Sequence, residues 1–253
     1  MTSTVRSARL VDEQARASRR APRRGRSVAV AALWLITAAF LAYQVPPYFS
    51  LDPTRSRIPI QFPLHYVFLA GHVISGTVAL STICVQFTPW VRRRYPAVHH
   101  WSGHLFVFGG ALPSAFFALA MFPVAFQNGS IGAVASASLW STTAVIGWIR
   151  GRQGRYREHG RWMLYSFAIV WGEVVFGFFL GLVLLSLPHP APIAYVAEAA
   201  RWVGFVGGLV VVHWYLERRD GRTFVGTPRT TSRAVRTASV TIAGPVAKPA
   251  AAR

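Results

Sequence analysis

The sequence predicts an all-α, polytopic transmembrane helix bundle of six spans with both termini on the cytoplasmic side. Three observations carry that reading. Charged residues make up only 14% of the 253 residues and apolar or aromatic ones 53%, whereas a soluble domain carries about 25% charged residues. The basic excess, a net +19, is concentrated at the ends: residues 1–26 and 217–253 each net +6. The long uncharged runs between them exceed what one water-soluble globule of this size can bury.

Each span follows from the gaps between charges, since crossing a core about 30 Å thick takes about 20 apolar residues at about 1.5 Å each. The gap between Arg26 and Asp52 holds span one, 27–43, and that between Arg57 and Arg92 holds span two, 63–86. From Arg94 to Arg150 run 55 uncharged residues. Gln127-Asn128-Gly129-Ser130 breaks them by turn chemistry into spans three, 101–125, and four, 131–149. Span five, 162–186, contains only Glu173 as a charge and ends at the proline-rich Leu187–Pro192. Span six, 195–216, carries Glu198 and Arg201 near its start. The basic tails, 1–26 and 217–253, are expected to be disordered; residues 223–253 in particular are too poor in apolar side chains to fold.

Lys and Arg flanking spans stay on the cytoplasmic side, and the N-in, C-in arrangement puts 24 of the 27 basic residues there, leaving Arg55, Arg57 and Arg201 outside. Span one is longer than a signal-peptide core of about 7–15 residues and lacks a small-residue cleavage site, so it reads as an uncleaved anchor. Cys84 is the single cysteine, which excludes a disulfide framework or a cysteine metal site and leaves it a packing role. The Arg-rich tails lack interleaved aromatics and flank membrane spans, so their expected partners are the bilayer and its anionic lipids rather than nucleic acid. Neither a P-loop, a dinucleotide fingerprint nor a nucleophile elbow occurs. Twenty-six Arg against one Lys points to a GC-rich bacterial genome, hence to the bacterial inner membrane.

Small residues at four-residue spacing let membrane helices approach closely. Gly71, Ser75 and Ala79 mark such a face on span two, Gly177 and Gly181 on span five, and Ala200, Gly204 and Gly208 on span six. Glu173 precedes Gly177 by four residues and so faces protein rather than lipid. An acidic residue at mid-membrane costs about 2.5–3.5 kcal/mol on insertion scales and needs a partner or a purpose. Glu173, His72 and Arg201 all fall at the midplane or in the outer half. They form either a proton relay or substrate anchor, or a structural Glu–Arg pair that sets helix register.

A second group of histidines, His99, His100, His104, His159 and His213, falls at the cytoplasmic boundary. His99, His159, His72 and His104 are the candidate ligands for a b-type haem or a metal ion, imidazole suiting either role. No span carries two histidines about 13–14 residues apart, and His65 and His72 are only seven apart, which disfavours stacked haems.

The segments His72–Leu80 with Gln86-Phe87, Arg92–His99 with Trp101 and Gly103, Leu139-Trp140, and His159 with Arg161-Trp162-Met163 resemble a bacterial family of predicted membrane proteins, domain of unknown function 2306. The resemblance covers about residues 72–185. It implies a protein of six or more spans and brings no reaction with it. The family's recurrent histidines fall on His72, His99 and His159, while arginines are expected in relatives at His100 and His104. Gly177 stands near a position where relatives carry Arg, which makes Glu173 particular to this chain.

Three functions follow from these residues. The first expectation is a membrane redox protein with a haem or metal on the histidines. The alternatives are a proton-coupled carrier component using Glu173 with His72 or Arg201, and a non-catalytic scaffold or assembly partner. Substrate, protein partner and oligomeric state have no signature in the sequence.

Overall fold

The computed structural model describes residues 25–122, 131–188 and 191–225, and its regular elements are helical, with no strand among the described residues. Lipid offers backbone groups no hydrogen-bond partner, so a segment crossing it satisfies them within its own helix. Among the described residues six helices are long and apolar enough to cross. In chain order, α1 is Gly25–Gln44 and α2 His65–Phe87. A short α3, Pro89–Arg94, precedes α4, Pro96–Ala120, and α5, Ile131–Arg152, follows. The last two are α6, Tyr156–Ser186, and α7, Ile193–Arg219. The chain is a multi-pass helical membrane protein.

Several helices extend beyond the apolar stretches that identify them. Pro96 opens α4 five residues before the expected start at 101, proline being suited to the first helical position. The α5–α6 connection is a tight turn with Gly154 at φ +72°, the left-handed region open to glycine, so α6 starts at Tyr156 rather than 162. Charge counting omits such polar first turns. The expected Gln127–Ser130 turn lies outside the described residues, as do positions 1–24 and 226–253 of the two tails. Residues 25–26 and 217–219 are helical.

Two helices contain a π-helical stretch: Leu105–Ala111 within α4 and Trp171–Phe176 within α6. The second keeps α6 in step with α7. A Cβ on Gly177 would lie 3.2 Å from the Ala200 carbonyl oxygen, and one on Gly208 2.7 Å from that of Ala168. Between these two contacts Gly172 meets Gly204 backbone to backbone. While α7 advances by four and four (200, 204, 208), α6 retreats by five and four (177, 172, 168). The five-residue step falls in the π stretch, whose wider turn absorbs the extra residue. The α7 positions are the expected small residues. On α6 the expected Gly177 is joined by Gly172, while Gly181 makes only ordinary contact with Ala200.

Helices α2 and α4 pack in the same way, Gly110 against the backbone of Ala79 and Gly76 against Ser114. Gln86 clasps their far ends, its amide donating to the His99 carbonyl and Ser102 Oγ, each at 2.6 Å. α1 joins through Trp171 Nε1–H donating to Thr37 Oγ1 (3.1 Å) and Trp34 Nε1–H to Thr88 Oγ1 (3.0 Å). Cys84 is buried, and Phe106, Ile169, Val175 and Phe205 fill the core.

The chain divides into two compact units, Met1–Leu209 and Val210–Arg253. In the second, a turn with Gly221 at φ +72° follows the end of α7. There His213 Nε2 lies 3.0 Å from the Phe224 carbonyl oxygen, and the Arg218 guanidinium sits 5.2 Å over the Trp214 ring.

Candidate functional site

Within the first unit the helices enclose a cavity of about 530 Å³. Each long helix contributes: Phe40 from α1, His72 from α2, Ser114 from α4, Ser136 from α5, Glu173 from α6 and Arg201 from α7. Tyr48, Arg57 and Ile58, from the segment joining α1 to α2, line it at one end, and Leu80, Trp140 and Val170 lie deepest along their helices. Most of the remaining wall is apolar, and a low local dielectric strengthens interactions between polar groups.

The polar centre is a three-residue ion cluster. Arg201 Nε lies 3.2 Å from Glu173 Oε1, and Arg201 Nη1 2.8 Å from Glu198 Oε2. The three side chains keep 28%, 16% and 18% of their surface for Arg201, Glu173 and Glu198 respectively. The two carboxylates are unequal. The remaining oxygen of Glu198, Oε1, accepts from the Gly132 amide (2.7 Å) and Trp202 Nε1–H (2.9 Å), which tie it to two helices. Glu173 interacts otherwise with the Ser136 hydroxyl and lines the cavity, as Glu198 does not. Glu198 and Arg201 thus form a saturated pair of zero net charge, and Glu173 is a surplus carboxylate facing the cavity.

His72 lies on the same wall without touching that cluster. Its Nδ1–H donates to the Ser114 carbonyl (2.9 Å), with Ser114 Oγ at 3.1 Å, so the lone pair of the neutral ring is on Nε2. Two turns earlier on α2, His65 accepts the Gln61 amide at Nδ1 (3.1 Å), so in its neutral ring Nε2 carries the proton. The two rings present opposite hydrogen-bonding character to one space. Trp140 lines the deep end, 6% exposed, with its indole N–H buried and without a partner among the described residues.

The four histidines expected as ligands do not form one set. His72 belongs to the cavity. His99 and His159, on α4 and α6, lie near each other. His159 Nδ1–H donates to the Gly147 carbonyl at 2.8 Å, and His99 Nδ1 is buried without a partner among the described residues. His104 sits on an exposed face with Nδ1 bonded to the His100 carbonyl of its own helix (2.9 Å). Among the described residues no three His, Cys, Asp or Glu side chains gather in a way that holds a metal ion.

The sequence pointed to Glu173, His72 and Arg201, which line this one cavity. It missed Glu198, Ser114, Ser136, Trp140 and His65. Glu198 left a trace as an acid three residues before Arg201, and His65 as a histidine seven before His72 that was weighed only for haem spacing. A serine or tryptophan inside an apolar run shows its neighbours only after the helices pack.

Residues 69–216 match the family described as predicted membrane protein, DUF2306. The chain belongs to that family. Its matched segment contains all three members of the ion cluster together with His72, His99 and His159. No curated protein and no solved structure matches the chain.

Proposed function

We propose that this DUF2306 protein is the substrate-binding component of a proton-coupled carrier, with Glu173 as the carboxylate that takes up and releases the proton. The observation that carries the reading is the convergence of Glu173, Arg201 and His72 on one cavity of about 530 Å³, a volume within the usual range for small-molecule sites. Ionisable groups inside a membrane face bundle interiors and mark ion or substrate pathways. Glu198, held by Gly132 and Trp202, fixes Arg201 in place. Glu173 is then free to exchange its contact with Arg201 for a proton. In the inner-membrane, N-in arrangement that the arginines favour, the Arg57 end of the cavity opens outward, and anionic lipids meet the Arg-rich segments on the opposite side.

The test is infrared difference spectroscopy of the protein in lipid nanodiscs across a pH titration. A protonated-carboxyl C=O band that titrates in the wild type, survives in Glu158→Gln and disappears in Glu173→Gln is expected. Identical difference spectra for wild type and Glu173→Gln would overturn the assignment.

One observation favours a second reading, a haem or metal redox centre at His99 and His159. The Gly147 carbonyl holds the His159 ring and leaves its Nε2 lone pair available, the orientation that such anchoring gives ligand histidines. An absorption spectrum before and after dithionite, with elemental analysis of the same sample, decides it. A Soret band or a stoichiometric metal that is lost in both His99→Ala and His159→Ala supports this centre, and a colourless, metal-free, folded protein removes it.

A further inference from the structure

The charges around Glu173 can be followed helix by helix. From α7 come Arg201 and Glu198, which neutralise each other. Helices α1, α4 and α5 bring only uncharged groups to the cavity wall, among them Gln44, Ser114 and Ser136. α2 brings His65 and His72, whose Nδ1 atoms are engaged by Gln61 and Ser114. Among the described residues, the only other full charge on the lining is Arg57. Its side chain donates to the Tyr43 carbonyl (2.8 Å) and lies 4.2 Å over the Tyr43 ring, at an exposed position where solvent screens it. With Glu173 ionised, the interior wall therefore carries one uncompensated negative charge.

One further feature lies beside that charge. Phe40, Tyr48, Trp140 and Phe178 put aromatic rings on the lining, and ring faces attract cations more strongly when desolvated.

We propose that the cavity binds an amphipathic organic cation. Its positive centre sits on Glu173 and its apolar body lies against the aromatic wall. The proposal rests on the reading of Glu173 as the exchanging carboxylate and names what is exchanged: the cation and the proton occupy the same site in turn. An anionic ligand on Arg201 fits less well, because it would displace one of the two carboxylates that the Arg201 guanidinium holds.

The test uses three probes of nearly one shape and different charge: tetraphenylphosphonium (positive), triphenylphosphine oxide (neutral, with an acceptor oxygen) and tetraphenylborate (negative). Binding to the full-length protein in nanodiscs is measured by equilibrium dialysis, with empty nanodiscs as the reference. Tetraphenylphosphonium is expected to bind at least tenfold tighter than either other probe, to weaken as pH falls and Glu173 is protonated, and to weaken at least tenfold in Glu173→Gln. Glu158→Gln, distant from the cavity, should bind as the wild type does. Equal binding of all three probes, or a preference for tetraphenylborate, overturns the proposal without any variant having to fold. The infrared titration separates the two claims: a titrating Glu173 band with no cation selectivity sinks the ligand class alone. Cation binding that ignores both pH and Glu173→Gln sinks the proposal and places the cation elsewhere.

Discussion

Gly172 and Gly204 meet backbone to backbone, and a methyl group on Gly172 would come within 2.5 Å of the Gly204 carbonyl oxygen. This contact lies one residue before Glu173 and three after Arg201, so the crossing of α6 and α7 sets the distance between acid and base. Glycine has no Cβ to hold the helices apart.

Gly204→Val should therefore separate α6 from α7. The expected cost is about 1–3 kcal/mol, the usual range for overpacking, read as a lower melting temperature in detergent. Because the ion cluster lies beside the crossing, the infrared band of Glu173 should shift in the same variant. An unchanged melting temperature would show that the crossing yields without strain.

Arg201 holds two carboxylates, so its removal should cost more than that of either partner. Arg201→Leu leaves Glu173 and Glu198 without their counter-charge, and losing one member of a buried pair costs about 3–5 kcal/mol. Glu198→Gln keeps the shape but weakens the hold on Gly132 and Trp202, for about 1–3 kcal/mol. Glu173→Gln, which leaves the saturated pair intact, should be the mildest of the three. Thermal unfolding in one detergent checks the order, and Glu173→Gln as the most damaging variant would contradict it.

Glycines in the helices are not equivalent. A Cβ on Gly110 would lie 2.8 Å from the Ala79 Cα, where two backbones leave no space, whereas nothing lies within 4 Å of one on Gly207. Gly110→Ala should destabilise by about 1–3 kcal/mol. Gly207→Ala should be neutral or stabilise by up to about 1 kcal/mol, because alanine lowers the entropy lost on helix formation. Parallel melting curves would show the difference.

Outside the membrane-spanning helices, the Thr54 hydroxyl (2.7 Å) and amide (2.9 Å) donate to Asp52 Oδ1 and hold its carboxyl below the ordinary carboxylate value. A lowered value in the folded state means that the cap is fully stabilising above the unfolded value, about 3.9, and is lost as pH falls through the folded one. Hydrogen exchange at the Thr54 amide should accelerate relative to its neighbours only at strongly acidic pH. In Asp52→Ala it should be fast throughout.

How far the site was legible depended on the residue. Glu173 and Arg201 stood out because an ionised side chain inside an apolar run has few explanations. Glu198 was visible as a charge, and Trp202 is its neighbour one turn on along α7, but its bond to Gly132, 66 positions earlier, arises only when α5 packs against α7. Gly177 and Gly204 were found from four-residue spacing. Gly172 escaped because the π stretch changes the step to five, and a rule built on regular helices does not anticipate that. The histidines were grouped by position along the chain; folding placed His72 in the cavity, His99 near His159 and His104 on an exposed face.

The sequence by itself determined that this chain is a helical membrane protein with six helices able to cross, because the transfer of backbone and charge into lipid is decided residue by residue and depends little on neighbours. Tertiary structure decided which polar groups share a cavity, which carboxylate is saturated and which is in surplus. Those are properties of pairs on different helices, fixed by close glycine contacts and one π turn, and no single segment contains them.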